Sequence, residues 1–381
     1  MKGILKKVIL LLIIVGLVLF YFLSYGKDRG LRIVKWNNFY EGKSIELFYE
    51  PLRKSLSLNE KLLRLGNLYK VSEIASKEDS EINKVLKTTE ILKTIISPDD
   101  VVNTKYVNGY DILRSKGESK KVSKRDSAII LRDLILNLGY ESRIGVFRKE
   151  NPQFETSSEY YVVEYWSPKF NKWIMVDYMS GTIPFKDKEP QGSTDLLSSK
   201  GLSKVDFIDI KGEEGDMKIR NFKKYLSSYS IPIDNTLNRK YSNSYICYVT
   251  SDKDVDFIAS GSYIPPTIFT KNKELLDKSP FGEKEKDDSK AYLIFMKKSF
   301  ENKQEDNKSD DEKNKEKYEF VIDAFKNGSV IKDYYLNING KGFEKIEDYK
   351  TYTFEEGVNT IELSLNGKDV ESSVEIIRDK Q

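Results

Sequence analysis

At 381 residues the chain is long enough for two or three domains. Its 63 basic and 60 acidic residues nearly cancel, and the net charge of +3 gives no ground for nucleic-acid binding. With no histidine and one cysteine, Cys247, it has no Ser-His-Asp triad, no Cys-His dyad, no His-bearing zinc site and no intrachain disulfide framework.

Lys2, Lys6 and Lys7 precede an apolar run over 8–23. With Ile4 and Leu5 it approaches the ~20 residues that cross a hydrocarbon core of ~30 Å. The run leaves through Phe22-Leu23-Ser24-Tyr25-Gly26, with large residues where a cleavage site needs small ones. Residues 1–26 are therefore expected to form an uncleaved signal anchor rather than a cleaved signal peptide. The lysines then place the N-terminus in the cytoplasm and the body outside, as a single-pass protein of the cell membrane.

Residues 30–50 are aromatic-rich (Trp36, Phe39, Tyr40, Phe48, Tyr49) and are expected to pack back on the first domain. Leu62, Leu63, Leu65, Leu68 and Tyr69 predict one face of a helix led by Ser57-Leu58-Asn59-Glu60. A second helix is predicted over 83–96, stopped by Pro98. The strongest is 127–138, where Ala128, Leu131, Leu134, Ile135 and Leu138 share a stripe and Gly139 stands where a C′ glycine belongs. The period then becomes two, predicting strands at 143–148, 160–166 and 173–178, and further on at 226–233 and 244–250. Alternation places Cys247 on a strand face with Tyr245, as a buried small apolar residue. Asp252-Lys253-Asp254-Val255-Asp256 alternates carboxylates but lacks the glycine and closing glutamate of a calcium loop.

Residues 301–317 contain no apolar side chain and are expected to be a disordered loop between strands at 291–296 and 318–325. Strands are predicted at 330–338, 349–354, 359–365 and 372–377, with Asn366-Gly367 as a type I′ hairpin turn. Glu356-Gly357-Val358-Asn359-Thr360-Ile361, followed by Gly367 and Ser372-Ser373, resembles the last two strands of bacterial Ig-like modules.

Four stretches between residues 58 and 177 carry a second likeness. They are Lys124-Arg125-Asp126-Ser127-Ala128; Gly139-Tyr140-Glu141-Ser142-Arg143; Tyr160-Tyr161-Val162-Val163-Glu164; and Trp173-Ile174-Met175-Val176-Asp177. Their order and spacing resemble the transglutaminase-like superfamily, a papain-like fold, over about a third of the chain. Tyr110-Asp111-Ile112-Leu113 resembles the segment that leads into the family cysteine. The resemblance puts the family nucleophile on Lys124 and the family histidine on Tyr160. Only the third member survives, as Asp177. Glu164, Trp173 and Arg143 fall on scaffold positions and are read as structural.

A cysteine at a helix N-terminus is activated because the dipole and free N–H groups favour its thiolate. Lys124 puts a cation in that field, and a tyrosine, with a reference pKa of about 10, cannot shuttle protons at neutral pH. Asp177 is expected to accept from the Tyr160 hydroxyl or to pair with Lys124. The expected architecture is α+β: an N-terminal transmembrane helix, a transglutaminase-like α+β domain over 27–275 (core 58–190) with a β extension, and a C-terminal all-β Ig-like sandwich over 290–381. The expected function is binding of a peptide, a cell-wall polymer or a protein partner by a domain without transamidase or peptidase chemistry, and without cofactor or metal. Two rivals stand beside it: an enzyme with altered chemistry on Lys124, Tyr160 and Asp177, and a structural subunit of a membrane complex.

Overall fold

The described residues divide into a helical layer and three large sheets. This computed structural model describes residues 30–51, 59–150, 157–199, 202–215, 219–252, 255, 265–282, 288–297 and 318–379. In chain order the main elements are β1 (Leu31–Asn37), α1 (Glu60–Leu68), α2 (Glu81–Ile95), α3 (Gly109–Lys116), α4 (Lys124–Asn137), β2 (Ser142–Arg148), β3 (Glu159–Ser167) and β4 (Lys172–Val176). Then follow β5 (Ser228–Pro232), β6 (Tyr245–Val249), β7 (Thr267–Thr270), β8 (Tyr292–Met296), β9 (Glu319–Lys326), β10 (Ser329–Val330), β11 (Tyr334–Ile338), β12 (Phe343–Ile346), β13 (Lys350–Thr353), β14 (Gly357–Ser364) and β15 (Ser372–Arg378).

The first large sheet has the order β7-β6-β5-β2-β3-β4, antiparallel except for the parallel β6–β7 pair. Successive strand residues alternate between its faces, so each strand serves two cores. One face carries Ile144, Val163, Ile174 and Val176 against Leu86 and Leu92 of α2 and Leu131 and Leu134 of α4. The other carries Phe147, Val162, Met175, Tyr229 and Ile246, which pack with Tyr292, Ile294 and Phe325 of a second sheet. Helix α4 is buried nearly all round, wider than the predicted stripe, because Arg132 and Asp133 pair internally at 2.8 Å.

The second sheet runs β8-β9-β10 with β13 on the other side of β9, and the third runs β1-β15-β14-β11-β12. They face each other across Phe295, Phe320 and Ile322 on one side and Leu336, Ile361, Leu363 and Val374 on the other. Leu31 and Trp36 of β1 and Cys247, Val249 and Phe269 of β6 and β7 complete that core.

This arrangement corrects the expected fold class. The described residues form a mixed, sheet-rich fold, 23% helix and 37% strand, in place of a transmembrane helix, an α+β domain and a separate Ig-like sandwich. The sandwich core is shared with the first sheet, since the ring of Trp36 meets Phe269 edge-on at 5.5 Å and Phe295 at 5.8 Å. The membrane assignment is corrected as well. No helix among the described residues is long and apolar enough to cross a membrane, and the longest named above, α2, has 15 residues. The run over 8–23 lies outside the described residues, as does the charged stretch 301–317. The cell-membrane location and the anchoring partnership with a bilayer are set aside on that finding.

Smaller differences have local causes. Residues 40–48 pack on the first sheet, as expected, but 31–37 pair antiparallel with β15. The predicted strand 330–338 is two strands in different sheets, broken where Asp333 adopts φ 60. Gly367 has the positive φ of a turn glycine but Asn366 does not, so the β14–β15 connection is not type I′. Its loop closes where the Glu371 amide donates to the Leu363 carbonyl, and the Asn366 side chain accepts from the Lys368 and Asp369 amides. In α1, Leu62 and Leu65 are buried while Leu63 and Leu68 are exposed.

Candidate functional site

Lys124 opens α4, as the resemblance requires of the nucleophile position. Ser123 caps the helix, its hydroxyl accepting from the Asp126 amide at 3.1 Å, an interaction worth about 1 kcal/mol. The Lys124 ammonium lies 2.7 Å from Asp100 Oδ1, with about a third of the side chain exposed. The lysine is thus turned to an exposed carboxylate upstream of the helix.

Tyr160 and Asp177 do come together. Tyr160 stands on β3, and its hydroxyl donates to Asp177 Oδ1 at 2.8 Å. Its ring packs on Phe222 and Tyr225, with centroids at 5.1 and 5.3 Å. Burial, reinforced by the Asp177 charge, pushes the phenol well above its ordinary range. Asp177 is fully buried just past the end of β4. Its carboxylate also accepts from the Met179 amide at 3.3 Å, from the Ser180 amide at 3.0 Å and from the Ser180 hydroxyl. Its own amide donates to the Thr182 carbonyl, closing the turn. The carboxylate spends its lone pairs on holding that turn and the tyrosine.

The three scaffold positions form one buried cluster. Arg143 Nε donates to Glu164 Oε2 at 2.8 Å, and the guanidinium lies 4.0 Å over the Trp173 ring. Burial opposes the charge of Arg143, but Glu164 beside it outweighs this and holds the guanidinium charged. Sequence reasoning missed the other members. Tyr229 donates to Glu164 Oε2 at 2.7 Å, the Ser193 amide donates to Oε1 at 2.8 Å, and Tyr49 stacks on Trp173 at 5.3 Å. Gly145 makes room for this: a Cβ there would lie 2.0 Å from the Tyr229 hydroxyl oxygen. No local pattern marks these partners, since a strand, a helix start and a loop far apart in the chain bring them to the cluster.

Cys247 is buried in the sandwich core, and Tyr245 at its strand's start is only partly covered. In the Asp252–Asp256 stretch, residues 253, 254 and 256 lie outside the described residues, and Asp252 pairs with Lys271.

A cleft of about 1580 Å³ lies away from the triad positions, between the first and second sheets. The segment 43–49 forms one wall, with Ile233 and Ile268 on the first-sheet side and Ile294 and Phe325 on the second. Asp288 ties together two of the cleft's lining segments, at Ser44 and Asn327. The carboxylate accepts from the Tyr40 hydroxyl at 2.8 Å, the Ser44 hydroxyl at 2.6 Å and the Asn327 amide at 2.8 Å. On the rim, the exposed ring of Tyr241 stacks on Phe48 at 4.7 Å, with 15° between the planes. The aromatic density of 30–50 was the available sequence signal; it marks a cleft wall as well as a packing segment.

No family model matches the chain, and no curated protein matches it.

Proposed function

We propose that this chain is a binding protein without transamidase or peptidase activity, built on a transglutaminase-like pattern, and that it holds a peptide, a cell-wall polymer or a protein partner. The hydrogen bond from Tyr160 to Asp177 carries this reading. The two residues stand where the resemblance puts a histidine and its orienting carboxylate, and they are used up as a structural contact. A phenol held protonated by burial cannot act as a base near neutral pH. A lysine nucleophile is activated by desolvation or by a neighbouring cation, whereas Lys124 is one-third exposed with an anion beside it. The wide cleft beside Phe48 and Tyr241 supports the binding reading, since ligands sit in concave, aromatic-lined clefts with a few polar groups.

The test is an amine-incorporation and peptide-cleavage assay on the purified full chain and on Asp177→Ala. Neither activity is expected from either protein. Turnover by the natural chain that disappears in Asp177→Ala would overturn the reading.

A further inference from the structure

We infer that the cleft between the first two sheets is a binding site for an uncharged oligosaccharide; this rests on the binding reading above and names its ligand class. The cleft is larger than the roughly 300–1,000 Å³ of a small-molecule pocket, at about 1580 Å³, so it suits an oligomer. Its charge is low for this chain. Charged residues make up 32% of the sequence, yet among the described residues that line the cleft, 23 in all, the charged ones are Lys43, Glu46 and Lys278. Each of the three already interacts within the protein, Lys278 by donating to the Lys43 carbonyl at 3.1 Å. Three charges of mixed sign in so large a lining make a weak field for an anionic or cationic polymer.

The lining offers instead what a sugar chain presents. Phe48, Tyr49, Tyr241 and Phe281 supply flat apolar faces, two of them exposed: Tyr241 at 66% and Phe281 at 52%. A pyranose ring has an apolar C–H face that stacks on such rings without needing charge. Ser242, Ser244, Ser279 and Ser329 supply hydroxyls and Asn327 a side-chain amide, groups that carry both donors and acceptors as sugar hydroxyls do.

A peptide that binds by adding a strand needs a free sheet edge. Much of the main chain around the cleft is already paired. The Phe48 amide donates to the Ile233 carbonyl and the Asn235 amide to the Phe48 carbonyl. The Tyr40 amide donates to the Phe269 carbonyl on the outer edge of β7, and β10 covers β9. These main-chain groups are spent within the protein, which favours recognition of a neutral polar chain by side chains.

Calorimetric titration of the full chain tests this with neutral hexasaccharides of glucose, mannose and N-acetylglucosamine, beside a capped, uncharged decapeptide. At least one saccharide is expected to bind, with an affinity that holds between about 0.05 and 0.5 M salt because no charge is involved. Tyr241→Ala and Phe281→Ala should each weaken it at least roughly tenfold, as loss of an aromatic anchor does. Both side chains are exposed, and an unchanged melting temperature in each variant separates lost binding from lost folding. Saccharide binding unaffected by both variants overturns the proposal, as does no binding by any probe. Peptide binding alone, lost in Tyr241→Ala, overturns the sugar assignment and leaves the binding reading standing. Transamidation abolished by Asp177→Ala would instead remove the binding reading itself.

Discussion

The Tyr160 hydroxyl and the Asp177 carboxylate are joined at 2.8 Å, and the same carboxylate holds the turn to Thr182. Tyr160→Phe should cost about 1 kcal/mol near neutral pH, because it removes one hydrogen bond and leaves Asp177 one donor short. The pH dependence follows from the raised phenol pKa, set by burial first and by Asp177 second. The folded chain keeps the proton to higher pH than the unfolded chain. The stabilisation is therefore complete below the ordinary value of about 10 and is lost as pH rises above it. Urea unfolding at about pH 7, 9 and 10.5 should show a smaller alkaline loss in Tyr160→Phe than in the natural chain. Equal slopes in the two proteins would count against the assignment.

Glu164 carries more. It lies fully buried with Arg143, Tyr229 and the Ser193 amide all directed to it. Glu164→Ala is expected to destabilise by about 3–5 kcal/mol, since it strands the Arg143 charge in the core. The double variant Arg143→Met, Glu164→Leu should lose clearly less than the sum of the single changes, because no uncompensated charge remains. Denaturant titration of the four proteins gives the coupling, and additive losses would show that the pair is not acting as a unit.

Asp323 behaves in the opposite sense to a paired carboxylate. It sits on β9, where, among the described residues, the amide of its neighbour, Ala324, is the one donor to its carboxylate, at 2.7 Å. Burial pushes its pKa up to about 6; the Ala324 amide offsets part of this, and the Asp348 charge adds to the rise. The folded state therefore binds the proton more tightly than the unfolded state. Its favourable contribution is full below about pH 4 and is lost as pH rises through about 6. Asp323→Asn should melt a few degrees higher than the natural chain at about pH 7.5, with the gain vanishing near pH 4. Differential scanning calorimetry at the two pH values decides it, and a gain that is equal at both would refute the ionisation argument.

What could be read without the structure had a local or a spaced signature. The apolar stripe of Ala128, Leu131, Leu134 and Ile135 marked α4, and the family resemblance set Tyr160 beside Asp177. The alternative partner proposed for Asp177, Lys124, was lost to Asp100, which carries no pattern of its own. Tyr229 on β5 and Ser193 at the start of a short helix converge on Glu164 from far along the chain, so no window of sequence contains the cluster. Periodicity also cannot say which apolar residues meet a partner: Leu62 and Leu65 do, while Leu63 and Leu68 face out. The cleft was invisible for the same reason, since Phe48 and Tyr241 stack only once two distant segments are brought together.

The pairing of β1 with β15 makes the strand Leu31–Asn37 part of a sheet formed otherwise by residues 334–378. Without it β15 becomes an open edge, and the core between the sheets loses Leu31 and Trp36, both nearly fully buried. Open apolar edges promote association between chains, and truncating a buried tryptophan costs about 3–5 kcal/mol. A fragment of residues 288–379 is therefore expected to lack a cooperative melt and to associate, while the full chain with Trp36→Ala should fold with reduced stability. Far-ultraviolet circular dichroism melts and sedimentation velocity distinguish these outcomes. A monomeric 288–379 fragment that melts cooperatively would mean that the sandwich closes without β1, and that the Trp36 contacts with Phe269 and Phe295 serve to join the sheets, not to form them.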